Sequence, residues 1–107
     1  MLLNRQRHLL ALLDALGGRV GGMDFQKLLF LYCHEEDPAP YEFVPYKFGA
    51  FSFTSYADRR KLVERGLLSD EENVWALTDI GRRAVGTEAQ HAMIRFAKAN
   101  GHLRGDA

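Results

Sequence analysis

The stretch RRKLVERGLLSDEENVWALTDIGRRAV, from Arg59 to Val85, constrains this chain more than any other part of it. A basic segment anchored by Leu62 ends at Gly66, where the missing side chain permits a left-handed turn. Leu67-Leu68 and the run Val74 to Leu77 flank the acidic turn Asp70, Glu71 and Glu72. Two short apolar runs around a polar turn predict a hairpin. Thr78 then stands where a helix cap is needed, because its hydroxyl can accept from a free amide of the first turn.

Helices are predicted on both sides of that unit. Asn4 can cap a first helix in which Leu9, Leu10, Leu12, Leu13 and Leu16 recur at helical spacing, and Gly17-Gly18 closes it. Gly17-Gly18 and Gly21-Gly22 read as a linker. Asp24 caps a second helix, where Phe25, Leu28, Leu29, Phe30 and Leu31 are dense enough for a core position, and "HEED" followed by "PAP" stops it. The segment YEFVPYKFGAFSF, residues 41–53, alternates aromatic and polar groups loosely and contains Pro45 and Gly49, so it reads as an edge strand or an extended loop. A third helix, about 54–65, starts from Ser52 or Thr54. Thr87 with Gln90 three residues on makes a capping box for a last helix ending at Gly101.

The expected fold is therefore mainly α with a small β-hairpin: a winged helix-turn-helix of about five helices and a two-stranded wing, forming a single domain. Residues 1–22 make the first helix and glycine linker, 23–86 the winged-helix core, 87–101 the C-terminal helix, and 102–107 a frayed tail. At 107 residues there is room for one core and no second domain. No apolar run approaches the roughly 18 residues that span a bilayer, and the single cysteine, Cys33, has no internal disulfide partner. Both point to a cytoplasmic protein without a cleaved signal peptide.

Two resemblances follow from the motifs. L-x-x-x-G-L-L from Leu62 to Leu68, then a hairpin, then W-x-L-T-x-x-G from Trp75 to Gly81, resembles winged-helix regulators of the PadR and MarR type. Over roughly Asp24 to Leu77, FQKLLFLYCHEE and YEFVPYKFGAFSFTSYADRRKLVERGLL are similar to the front half of Panacea (SocA-like antitoxin) domains and related bacterial winged-helix domains of unassigned role. That match rests on Gln26, Lys27 and Leu28, then Tyr46 and Gly49 in a Y-x-x-G-P type turn, with Ala50 where proline is usual. The resemblances imply a bacterial regulatory or antitoxin-like module, some relatives of which form the front of longer proteins.

Charge placement leaves two functions open. Fourteen basic and fourteen acidic residues cancel, so the whole chain does not announce a nucleic-acid binder. Locally, Lys47, Arg59, Arg60, Lys61 and Arg65 lie in a basic strip directly before the acidic Asp70, Glu71, Glu72 and Asp79. The first reading places the third helix in the major groove of double-stranded DNA. Arg60, Lys61 and Arg65 would meet phosphates and base edges, and Ser52, Thr54 and Ser55 the phosphates at its start. The blander version is a solvated face with pairs from Glu64 to Arg60 and Lys61. An acidic wing opposes DNA, because carboxylates held near phosphates repel them.

The second reading is a protein-interaction winged helix, antitoxin-like or adaptor, possible as the N-terminal part of a longer protein. Its partner would be held by the acidic wing and the aromatic segment, with Tyr41, Phe43, Tyr46, Lys47, Phe48 and Arg59 as contact residues. The rings could instead fill the core or stack single-stranded bases. Arg59 falls on the core-facing stripe three residues from Tyr56 and Leu62. There it must pair with an acid such as Glu42, meet a partner, or lie over aromatics. The last helix carries Ala89, Ala92, Met93, Phe96 and Ala97 on one face, which either packs on the first helix or forms a homodimer.

Catalysis has no motif here. Cys33 and His34 diverge on a helix, and His8, His34, His91 and His102 lack metal-ligand spacing. No catalytic residue, metal or cofactor is expected, and no membrane partner.

Overall fold

Leu9, Leu10, Leu12 and Leu13 have no exposed surface on the first helix, α1 (Asn4–Ala15), in a computed structural model that describes residues 2–46 and 49–101. Leu3, rather than Asn4, occupies the cap, and its amide donates to Gln6 Oε1 at 2.9 Å. After the turn at Gly17-Gly18 the chain does not run on as a linker. Arg19–Gly21 forms strand β1, with Val20 buried in the core. A three-residue strand among glycines has too few positions to display a period of two, so no pattern marks it in the sequence.

Helix α2 (Gly22–Glu35) begins two residues before the expected cap Asp24 and buries Phe25, Leu28, Leu29, Tyr32 and Cys33. Strands β2 (Val44–Tyr46) and β3 (Gly49–Phe51) pair antiparallel, so the aromatic segment is a hairpin and not a single edge strand or loop. Helix α3 (Phe53–Glu64) starts from Ser52, whose Oγ accepts the Ser55 amide at 3.1 Å.

The hairpin expected between Leu67-Leu68 and Val74 to Leu77 forms only in part. Leu68 and Leu77 meet in an isolated bridge, with Ser69 N donating to the Ala76 carbonyl at 2.9 Å. The physical reason is competition at the end of α3: the Leu67 and Leu68 amides both turn to the Leu62 carbonyl, at 2.9 and 3.4 Å. Strand β4 (Val74–Ala76) pairs antiparallel with β1 instead, with Val20 opposite Trp75. The result is a mainly helical chain with small two-stranded sheets.

Helix α4 (Asp79–Ala84) has the expected cap. Thr78 Oγ1 accepts the Gly81 amide at 3.0 Å and donates to the Gly66 carbonyl, tying the start of α4 to the end of α3. Thr78→Ala removes both bonds and is expected to cost about 1–2 kcal/mol. In a thermal melt this lowers Tm by roughly 5–10 °C, whereas Thr78→Ser stays near the parent.

Helix α5 (Thr87–Asn100) is capped by Gly86, and the Thr87–Gln90 capping box does not form. Gln90 Nε2 reaches across to Asp14 Oδ2 at 3.2 Å instead. Met93 and Phe96 are buried, Phe96 edge-on to Tyr32 at 5.4 Å, and α5 packs along α1. The apolar face of the last helix is thus used inside the chain. One core joins the helices, with Trp75 tilted against Phe25 at 4.7 Å between ring centres. No helix of the described residues is long and apolar enough to cross a membrane.

Candidate interaction surface

Helix α3 separates cleanly into two sides. Ser55, Asp58 and Leu62, at spacings of three and four, face inward and are buried. Phe53, Thr54, Ala57, Arg60, Lys61, Glu64 and Arg65 are exposed, so the three cations expected to meet DNA do share an outward face with Thr54. Among the described residues, Glu64 forms no salt bridge with Arg60 or Lys61.

Ser52 and Ser55 do not belong to that face, and their expected role as phosphate donors is corrected. Both are fully buried and bonded to Gln26. The Ser52 amide donates to Gln26 Oε1 at 3.0 Å, and Gln26 Nε2 donates to Ser55 Oγ at 2.9 Å. Ser55 Oγ in turn donates to the Ser52 carbonyl at 2.9 Å. The two hydroxyls satisfy buried groups at the α2–α3 contact and have no path to a phosphate.

A larger polar cluster holds the other end of the inward stripe. Asp58 has no exposed surface and accepts from three side chains: Arg5 Nε at 2.7 Å, Tyr41 Oη at 2.8 Å and Gln6 Nε2 at 3.2 Å. Burial raises its pKa, but the bonds from Arg5, Tyr41 and Gln6 outweigh that and hold the carboxyl below its ordinary range. The same bond raises Arg5, and burial followed by the Asp58 bond raises the Tyr41 phenol. Tyr41 is therefore a core residue, not the partner contact expected of it. Asp58 was legible in principle, because an acid on the stripe of Ser55 and Leu62 must find a base.

Arg59 also turns out to be internal. Its guanidinium donates to the carbonyls of Glu71 and Val74, at 2.8 and 3.0 Å, and lies over the Trp75 ring at 5.6 Å from its centre. Among the described residues it pairs with no acid, because the carbonyls of Glu71 and Val74 supply the acceptors. The segment from Glu71 to Val74 is thereby strapped to the flank of α3. Glu71 is held below the ordinary carboxylate range by Arg19 and then Ser69, while Asp70 and Glu72 stay exposed.

The aromatic hairpin makes an open apolar feature. Tyr46, Phe51 and Phe53 contact one another, and Phe51 stacks on Tyr56 at 4.7 Å with 9° between ring planes. Between these rings and α2 lies a cleft of about 620 Å³, whose walls include Met23, Lys27, Phe30, Tyr46, Phe51 and Tyr56. In its lining Met23 is exposed by 70% and Tyr46 by 51%, and Phe53, against Tyr46, is exposed by 59%. Of the expected partner residues, Tyr46 lines this cleft, and Phe43 is half-buried, edge-on to Phe30 at 5.4 Å. Lys47 and Phe48 lie outside the described residues, as does the tail 102–107. Met23, Lys27 and Phe30 were not expected here: Met23 precedes the cap expected at Asp24, Lys27 carries no signal of a contact, and Phe30 reads as one more core ring of the helix.

Three other titratable side chains have surroundings of their own. His8 Nδ1 lies 3.0 Å from Tyr32 Oη, His34 stacks on Phe30, and burial pushes the Cys33 thiol up. Among the described residues no group of three or more His, Cys, Asp or Glu is placed to hold a metal ion. Comparison of the chain with protein-family models, with curated proteins and with solved structures returned no match.

Proposed function

We propose that this chain is a winged-helix interaction module, antitoxin-like or adaptor in kind, that holds a protein partner against the α2–hairpin cleft. The order helix, strand, helix, helix, wing supports the winged-helix reading, as does β1 between the first two helices pairing with β4 after the third. The observation that carries the function is the cleft, with Met23 and Tyr46 exposed in its lining and Phe53 exposed beside Tyr46. Rings and a methionine left in water beside a preformed hollow are the pattern of a protein contact, since aromatic and Met side chains dominate interface cores.

A second reading, double-stranded DNA bound by α3, is favoured by the outward set Thr54, Arg60, Lys61 and Arg65. Against it stand the two buried serines and the exposed Asp70 and Glu72 of a wing strapped beside α3. Fluorescence anisotropy with a labelled random duplex, titrated over several salt concentrations, separates the two. The proposal expects no salt-sensitive binding, and parent and Arg60→Ala/Lys61→Ala/Arg65→Ala chains should behave alike. Binding that falls steeply with salt and vanishes in the triple variant would establish the DNA reading instead. The three sites are exposed and should each change stability by no more than about 0.5 kcal/mol, so loss of binding would not reflect unfolding.

A further inference from the structure

The floor and walls of the cleft differ in what they leave uncommitted. Gln26 lines it, yet its amide oxygen and nitrogen are both taken by Ser52 and Ser55, so the floor is fixed and offers little to a polar group. The apolar part of the walls is four rings and a thioether, from Phe30, Tyr46, Phe51, Tyr56 and Met23. An apolar side chain is therefore the natural filling.

Charge adds a second requirement. Lys27 is exposed on the α2 wall and makes no ion pair among the described residues. Asp24, one turn earlier on the same wall, already has a partner. Lys27 is thus a charge on this wall that an incoming carboxylate can meet.

From these observations we infer that the cleft receives a segment of a partner protein that carries an aromatic or large aliphatic anchor next to a carboxylate. The inference rests on the reading of the cleft as a docking site and names the chemistry of its occupant. The anchor enters between Phe30 and the Phe51–Tyr56 stack, and the carboxylate meets Lys27. Addition of the segment as a strand on β2 is disfavoured, because Pro45 brings no N–H to that edge. A protein segment suits the site better than a free small molecule, because the exposed rim from Met23 to Phe53 extends the apolar surface beyond the hollow itself.

The test uses the full chain and two probes, N-acetyl-Glu-Phe-amide and N-acetyl-Lys-Phe-amide, followed by amide shifts in ¹H–¹⁵N NMR spectra. Both probes should move amides of residues 23–30 and 49–56, with the acidic probe about two- to five-fold tighter, as for an exposed ion pair. Lys27→Glu, at an exposed site, should keep the parent spectrum away from the cleft and reverse the order of the probes. Equal binding of the two probes, unchanged in Lys27→Glu, would overturn the charge requirement and leave the docking reading standing. No shift with either probe at millimolar concentration would overturn the docking reading itself. Cleft amides that move when the protein alone is diluted would mean that a second copy of the chain is the occupant, which also overturns the inference.

Discussion

Gly81→Ala is expected to destabilise the protein by about 3 kcal/mol or more, although alanine is the better helix former by about 1 kcal/mol. A Cβ built at Gly81 would stand 1.9 Å from the Leu67 carbonyl oxygen and 2.9 Å from its carbon. That carbonyl cannot retreat cheaply. It accepts the Thr78 amide at 3.2 Å, and the Leu67 amide is itself bonded to Leu62 at 2.9 Å. The obstacle is backbone on both sides, so the steric term outweighs the propensity gain. Gly66→Ala provides the contrast: nothing lies within 4 Å of its Cβ, and only its φ of 78° opposes a side chain. The cost there should be about 1 kcal/mol. Urea unfolding of the two variants decides the matter, and a Gly81→Ala chain as stable as the parent would refute the close approach of α4 to the α3 exit.

Asp58→Ala is expected to lose about 3 kcal/mol, a fall in Tm of roughly 10–20 °C. The change strands the Tyr41 hydroxyl and the Gln6 amide without an acceptor in a buried place and leaves Arg5 without its counter-charge. The figure is set at the low end for a broken buried pair because the Arg5 side chain is 37% exposed and water can recover part of its charge. Asp58→Asn keeps an acceptor oxygen and should lose less. The two also differ with pH. The folded carboxyl titrates below its unfolded value, so its contribution is complete above the ordinary aspartate range, about pH 4–5, and disappears as the pH falls through the folded pKa. The stability gap between the parent and Asp58→Asn should therefore be widest near neutrality and shrink in acid. A gap that does not change with pH would mean that Asp58 acts by shape alone.

Buried polar bonds explain why four of the twelve contact residues singled out from the sequence turn inward. Tyr41, Ser52, Ser55 and Arg59 were each assigned by the chemistry they could offer outward. A hydroxyl or guanidinium that could serve a ligand can equally satisfy a buried partner distant in sequence. Gln26 lies 26 residues from Ser52, and Asp58 lies 53 from Arg5. No local pattern announces such pairs.

What the sequence determined by itself is local. Leucines at helical spacing specify α1, the Gly66 turn and the Thr78 cap mark where α3 ends and α4 begins, and a hydroxyl at Ser52 or Thr54 marks the start of α3, because each feature depends on neighbours within a few residues. Tertiary structure decided which strand β4 joins, where the turn before β4 lies, and which polar side chains face water. Strand β1 is three residues long and gains its hydrogen bonds only when β4 arrives beside it. The turn from Glu71 to Val74 takes its place because Arg59 finds the Glu71 and Val74 carbonyls, and the cleft exists because the β2–β3 hairpin is carried against α2. These are pairings across long sequence separations, selected by the cost of leaving a buried polar group alone, and that cost has no value until the chain has closed around it.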